Sequence, residues 1–270
     1  LKILCNENMI ILVPGSDEEA TEISKNIKIF KKNDIVCNVM DYKIIKSISD
    51  KYKLYKQCKK NLKDNYIESY LIEDNKKLDI YAKRLGYPEN DLIIKPRIGR
   101  GRRDTFRISK KINKNNIKSK DIPVNITLEN FKKTINTNNN DFIIMKFIEG
   151  EALTVDVLAK NGELKFYVIR KWRKTWRYPF PGQELLKEKK IEKLILKLFT
   201  IYKFHGLFDI DLIKKNDEKI YLLEINPRPS GSILVTEKLG IKIFSFLQLV
   251  LLNRKFKIPI LKTKQVINVI

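Results

Sequence analysis

The stretch Tyr221–Ser232, YLLEINPRPSGS, decides the fold. It begins as an apolar strand. It ends with Glu224, Asn226 and Arg228 on alternate positions, where the chain meets Pro227 and Pro229. Side chains alternate along a strand, so a carboxylate, an amide and a guanidinium leave on one face. Upstream, LFDIDLIK (207–214) and a turn at Asn216-Asp217 make this strand the second arm of a hairpin. If Lys214 faces Lys219, Asp209 faces Glu224 and Asp211 faces Leu222; a slip of two residues sets Asp211 against Glu224. In either register Asp209, Asp211, Glu224 and Asn226 share a face. Phe208, Ile210, Leu212, Tyr221, Leu223 and Ile225 then form the core face.

Like charges facing each other across a strand pair repel, so three carboxylates on one face call for a cation. With oxygen donors only, the fitting ion is Mg²⁺ or Mn²⁺, and Mg²⁺ held by few carboxylates usually carries a substrate phosphate as well. A solvated acidic face paired with surface lysines explains the hairpin equally well. Arg228 beside the acids favours the metal reading, because a metal and an arginine at one strand end neutralise the charge that develops in phosphoryl transfer.

The 270 residues suffice for one large or two modest domains. With 43% hydrophobic and 32% charged residues, the chain reads as globular and soluble rather than disordered. No apolar run approaches the roughly 20 residues of a membrane span, and no signal-peptide pattern opens the chain, so a cytoplasmic protein with no membrane partner is expected. The chain opens at Leu1 rather than Met, as a fragment missing an N-terminal piece would. Cys5, Cys37 and Cys58 form no CxxC pair and fit buried thiols in a reducing compartment. His205 is the one histidine, which excludes multi-His metal sites. The net charge of +23 raises the question of nucleic acid. The lysines, however, are spread along the whole chain among Asn and Ile, which reads as a solvated surface.

Along the chain, MIILVP (9–14) reads as a buried strand, GSDEEATEISKNIKIFKKN as a helix capped by Ser16 or Asp17, and DIVCNVM (34–40) as a second, parallel strand. SDKYKLYKQCKKNL reads as a helix opening at Ser49 or Asp50. From about residue 61, strands alternate with polar loops: YIESYLI, DLIIKP, DTFRIS and DFIIMKFI, with the low-complexity KKINKNNIKSK between the last two. Asn161-Gly162 marks a hairpin turn between ALTVDVLAK and ELKFYVIRKW. A helix is expected over about 184–205, ending at Gly206, and another over about 236–253. The loop RIGRGRR (97–103) follows Lys95 and contains Gly99 and Gly101, which let backbone approach an anion. It is not a P-loop, since GxxxxGK[ST] is absent. IRKWRKTWRYPFPGQ (169–183) interleaves Arg, Lys and Trp. It reads either as a packed hairpin arm or as a substrate loop in which Arg170 or Arg173 holds a carboxylate; single-stranded nucleic acid ranks below both.

Together these stretches resemble the ATP-grasp superfamily, in particular its carbamoyl-phosphate-synthase-like and pyrrolysine-biosynthesis-ligase-like branch. The resemblance is carried in order by VPGSDEE and SDKYKLY, IIKPRIGRG, IIMKFIEGEALTVDVL and FDIDLI…YLLEINPRPSGS. It implies an α/β protein of α+β lobes: two lobes with antiparallel sheets clasping ATP, preceded by a partial Rossmann-like βαβ unit. The boundaries would be 1–48 for that unit, 49–145 for the small lobe and 146–270 for the C-terminal lobe. It implies that Lys95 and Lys51 contact ATP phosphates under a loop closed by Gly99 and Gly101. The backbone of Lys146, Phe147 and Ile148 would face adenine, with Glu151 toward the ribose. Asp211, Glu224 and Asn226 would bind Mg²⁺ (or Mn²⁺), and Arg228 would stabilise an acyl phosphate. Two positions depart from the family pattern: the usual acid opening the hinge is Lys146, and the acid after Gly150 is Glu151, one place before Ala152. The implied activity is that of an ADP-forming carboxylate–amine ligase acting on small molecules, for which a dimer is compatible. An ATP-grasp kinase or carboxylase, or a non-catalytic nucleotide- or nucleic-acid-binding module, is the alternative.

Overall fold

The computed structural model describes residues 10–99, 104–110, 123–134, 141–172, 183–258 and 266–267. The chain forms two compact units, residues 1–49 with 150–270 and residues 50–149.

The first unit opens with β1 (Ile10–Leu12), α1 (Asp17–Lys25), α2 (Ile27–Lys32), β2 (Ile35–Cys37) and α3 (Tyr42–Ile48). β1 and β2 pair in parallel, giving the expected βαβ unit. Ser16 caps α1 by accepting the Glu19 N–H, and three acids occupy the first turn, where they complement the helix dipole. The single helix expected here breaks at Asn26, whose side chain donates back to the Glu22 carbonyl. The helix α3 is capped by Asp41, whose side chain accepts from the Lys43 N–H.

The second unit contains α4 (Lys51–Leu62), β3 (Ser69–Leu71), α5 (Asn75–Arg84), β4 (Leu92–Pro96), β5 (Phe106–Ile108), β6 (Val124–Ile126), α6 (Leu128–Thr134) and β7 (Phe142–Lys146). Its sheet runs in the order β3-β7-β4-β5-β6. The pairs are antiparallel except β5–β6, which is parallel and departs from the all-antiparallel expectation. α5 lies in a segment read as polar loop. Leu78, Ala82 and Leu85 at helical spacing are all buried, in a core that also holds Leu92, Ile94, Ile108, Phe131 and Ile144. Each buried Leu, Ile or Phe among them contributes about 1.5–3 kcal/mol.

The remainder of the first unit contains β8 (Glu151–Lys160), β9 (Glu163–Trp172), β10 (Gln183–Leu186), α7 (Lys189–Ile201), β11 (Gly206–Lys214), β12 (Ile220–Asn226), α8 (Ile233–Lys238), α9 (Ile243–Leu251) and β13 (Val266–Ile267). The sheet order is β12-β11-β8-β9-β10-β13, antiparallel throughout. Asn161 and Gly162 form the β8–β9 turn at positive φ, as that dipeptide dictates. The 184–205 helix is shorter than expected, because residues 183–186 pair with β9 as a strand before α7 begins. Gly206 is not the helix cap; Tyr202 is, and Gly206 opens β11 at φ +86°. The 236–253 helix divides into α8 and α9 at Gly240, which takes φ +83°.

One face of this sheet changes character along its strands. Leu158, Phe166, Val168 and Leu207 pack at one end with Ile243, Leu247 and Val250 of α9. Farther along the same face stand Asp156 and Thr154 on β8, Arg170 and Trp172 on β9, and Asp209 and Asp211 on β11. Apolar packing thus fixes one end of the face and leaves polar groups at the other. Among the described residues, no helix is long and apolar enough to cross a membrane.

Candidate functional site

The β11–β12 register is the second of the two expected. Asp211 faces Glu224 and Asp209 faces Asn226. A bulge then intervenes, so that Leu212 faces Leu222 and Leu223 is the extra residue. The bulge inverts the expected inside–outside assignment of β12 before residue 224. Ile220 and Leu222 are buried together with Ile225, while Tyr221 and Leu223 are only half-buried. The four polar residues still share a face because all of them lie on the far side of the bulge.

Asp209 is 2% exposed. Its Oδ2 accepts from Asn226 Nδ2 at 2.9 Å, and the same amide lies 3.4 Å from Asp211 Oδ2. Asp209 Oδ1 accepts no hydrogen bond among the described residues; Arg228 Nη1 lies 3.6 Å away. Burial, then the nearby Asp211 charge, push the Asp209 carboxyl well above the usual carboxylate range, against the Asn226 hydrogen bond and Arg228. Arg228 leaves the strand end and donates to the Pro229 carbonyl at 2.9 Å, with Nε 3.0 Å from Asp17 Oδ1 on α1. Asp17 is a partner of Arg228 that the sequence alone does not reveal, since 211 positions separate the two.

Arg170 is wholly buried, 0% exposed, and so is Asp156. Nε and Nη2 of Arg170 donate to the two oxygens of Asp156 at 2.8 and 2.7 Å. Nη1 reaches Gln183 Oε1 and, at 2.7 Å, Ser232 Oγ. Thr236 Oγ1 donates to Asp156 at 2.6 Å. The arginine expected to hold a carboxylate does so, but the carboxylate is Asp156, and the packing reading of residue 170 is the observed one. Arg173 and the second tryptophan, Trp176, lie outside the described residues.

In the second unit, Asp50 caps α4 and accepts two bonds from Arg97, from Nε at 2.9 Å and Nη2 at 2.7 Å. Lys51 donates from Nζ to the Gly99 carbonyl at 2.6 Å. Lys95 donates to the Tyr55 hydroxyl at 3.1 Å. Lys51 and Tyr55 are one turn apart on α4, so both expected phosphate lysines meet one helix face beside the start of the glycine loop. Gly101 lies outside the described residues. At the expected hinge, Lys146 ends β7 opposite Leu92. The Phe147 N–H donates to the Asp91 carbonyl at 2.9 Å and is therefore not offered to a base. Arg107 stacks 4.1 Å from the Phe147 ring centre while paired with Asp91, and Ile148 follows half-buried. Glu151, in the first unit, is exposed and paired with Lys171.

Gly150, just before β8, tolerates no side chain. A Cβ there would run into the Lys214 carbonyl and come within 2.9 Å of Ile213 Cγ2. Buried Asn38 plays a similar part at the start of β11. It donates to the Leu207 carbonyl at 3.1 Å and accepts from the Leu207 N–H at 2.6 Å. A Cβ on Gly206 would collide with it. His205 Nδ1 accepts from the Asn161 N–H at 3.2 Å, and burial holds its pKa below the usual value, so it braces a turn. Burial raises the Cys37 and Cys58 thiols to about 11 and about 12, which leaves both unreactive; Cys5 lies outside the described residues.

Asp211 faces Glu224 across the strand pair, and carboxylate oxygens are the donor type a hard divalent cation takes; Asn226 beside them turns its Nδ2 toward Asp209 and Asp211. Among the described residues, no group of three or more His, Cys, Asp and Glu side chains is arranged to hold a metal. Two carboxylates and an amide nevertheless fit Mg²⁺, which completes its shell with water and phosphate.

The family model described as "ATP-grasp in the biosynthetic pathway with Ter operon" matches residues 138–269. No curated protein matches the sequence. Among solved structures, the biotin carboxylase domain of Hydrogenobacter thermophilus 2-oxoglutarate carboxylase, with MgADP and bicarbonate, superimposes with a TM-score of 0.69 at 16% identity, over 95% of this chain and 56% of that one. Carboxyaminoimidazole ribonucleotide synthase from Aspergillus clavatus, complexed with ATP, gives 0.68 at 17% identity, over 98% and 65%. N5-carboxyaminoimidazole synthetase from Staphylococcus aureus gives 0.64 at 14%, over 90% and 59%. The chain spans less than two thirds of the length of each of these proteins. The chain shares the fold of these structures, and the ATP-grasp family match covers the part of the chain that carries Asp211, Glu224 and Arg228.

Proposed function

We propose that the protein is an ATP-dependent ligase that activates a substrate carboxylate as an acyl phosphate. A carboxylate oxygen attacks the γ-phosphorus and ADP departs. An amine then attacks the acyl carbon, the C–O bond to phosphate breaks, and the amine loses a proton as the amide forms. The observation that carries this reading is the β11–β12 register, which sets Asp211 against Glu224 with Asn226 next along and Arg228 at the strand exit. Catalysis of this kind is positioning and charge neutralisation, and no covalent nucleophile on the protein is needed.

Lys51, Lys95, Gly99 and Gly101 are assigned to the ATP phosphates, and Lys146, Phe147 and Ile148 with Glu151 to the nucleoside. Asp211, Glu224 and Asn226 would hold Mg²⁺, and Arg228 the acyl phosphate. When bound, Mg²⁺ supplies charge neutralisation to the transferring phosphoryl group. The MgADP and ATP present in structurally similar enzymes support these cofactors. A carboxylase, in which bicarbonate is the activated carboxylate, is the second reading, supported by the biotin carboxylase likeness.

ADP release, screened against pairs of amino acids and small acids and against bicarbonate alone, separates the two. Glu224→Gln should abolish ADP formation in either case while leaving the thermal transition in place, and full activity in that variant would remove Glu224 from the site.

A further inference from the structure

Thr154 sits directly opposite Asp211 across β8 and β11, and opposite Arg170 across β8 and β9. It is 3% exposed. Its Oγ1 lies 2.8 Å from Asp211 Oδ1 and 3.2 Å from Trp172 Nε1. Chemistry fixes the direction of both bonds. An indole nitrogen only donates, so Thr154 accepts from Trp172. An ionised carboxylate only accepts, so the one proton of the Thr154 hydroxyl goes to Asp211. The three groups therefore form a one-way relay, Trp172 to Thr154 to Asp211, on the polar end of the sheet face. Each bond strengthens the next by polarisation.

We infer that Thr154 and Trp172 are positioning residues for Asp211: they pin one carboxylate oxygen so that the other is presented beside Asn226 and Glu224, where a divalent cation binds. This rests on the metal reading proposed above. Asp211 Oδ2, the oxygen that Thr154 does not hold, lies 3.4 Å from Asn226 Nδ2, a weak donor contact that a bound cation would replace. Outer hydrogen bonds of this kind tune metal affinity by about 10–100-fold, because an unpinned carboxylate loses rotamer freedom on binding and is a weaker ligand in its other orientations. The relay also gives the first tryptophan of the basic-aromatic segment a task within the sheet, which a nucleic-acid stacking platform does not require.

The test uses Mn²⁺ as the probe, with ADP present, read by electron paramagnetic resonance. Thr154→Val should weaken Mn²⁺ binding by about 10-fold, Thr154→Ser should stay within about twofold of the parent, and Trp172→Phe should fall between them. ADP affinity without metal should not change in any of the three. A Trp176→Phe background leaves Trp172 as the sole tryptophan, and its emission should respond to Mn²⁺ only when residue 154 carries a hydroxyl. A purely structural role would lower the unfolding temperature without moving Mn²⁺ affinity or the emission response. If Thr154→Val does not fold, Trp172→Phe alone decides. Mn²⁺ affinity within twofold of the parent in folded Thr154→Val and Trp172→Phe would overturn the relay while leaving the metal site standing. If the parent protein itself takes up no Mn²⁺ with ADP, the metal reading falls and the relay with it.

Discussion

The Asp50 carboxylate grips the Arg97 guanidinium through two hydrogen bonds, at 2.9 and 2.7 Å, while also capping the helix that starts at Lys51. One side chain thus ties the first turn of α4 to the start of the glycine loop. Burial by itself would push the Asp50 carboxyl up, but the bonds from Arg97, the Lys53 N–H and the two cationic charges outweigh it, and its pKa lies below the ordinary value. A depressed carboxyl stabilises the fold above its unfolded pKa of about 3.9, and that stability is lost as pH falls through the lower folded value. Asp50→Asn should therefore flatten the acid limb of the stability profile below about pH 5. Asp50→Ala should cost about 2–3 kcal/mol at pH 7, from the lost cap and the stranded arginine. Urea unfolding at a series of pH values checks both.

Gly150→Ala is expected to destabilise the protein by about 1–3 kcal/mol, because the added methyl must displace the backbone of Lys214 as well as Ile213 Cγ2. The effect should appear as a lower unfolding temperature. It should also reduce ADP formation, since the displaced strand is the one that carries Asp211. An alanine variant as stable and active as the parent would show that β11 can yield at this point.

Much of the site is legible in the sequence. Period-2 alternation in LFDIDLIK and YLLEIN marks the shared polar face, and Asn161-Gly162 marks the separate turn between β8 and β9. What escaped was set by contacts distant in sequence or by single-residue irregularities. The bulge at Leu223 reversed the facing of Tyr221 and Leu223, yet no residue type announces a bulge there. Gly206 read as a helix terminator, because glycine after an apolar helix usually is one. Its actual constraint is Asn38, some 168 positions away. The signal for α5 was present in the Asp74 cap and in the spacing of Leu78, Ala82 and Leu85, but the lysines between them gave it the look of a loop. The partners of Arg170 and Thr154 depend on which strands are neighbours, and strand order is not written in local pattern.

Lys51→Met should weaken ATP binding by about 10–100-fold, the worth of one charge-assisted bond, while the fold persists. The lysine already contacts the Gly99 carbonyl, so its ammonium stands where the loop backbone would meet a phosphate. Isothermal titration with ATP, beside a thermal scan of the variant, separates lost binding from lost structure. Unchanged affinity would remove Lys51 from the phosphate site and leave Lys95 as its cation.

The buried Asp156–Arg170 pair makes the strongest energetic prediction. Both side chains are shut off from solvent and joined to Gln183, Ser232 and Thr236, so each charge depends on the other. Removing one partner leaves a buried charge uncompensated, which costs about 3–5 kcal/mol, whereas removing both leaves none. Arg170→Met and Asp156→Leu should each be strongly destabilising, and the double variant should be markedly more stable than the sum of the two predicts. The double variant still loses the bonds to Ser232 and Thr236, which fasten the segment after Arg228 to the sheet. It should accordingly recover stability without recovering ADP formation. Additive losses would mean that the two charges do not depend on each other. Full activity in the double variant would mean that this network holds the fold without placing Arg228.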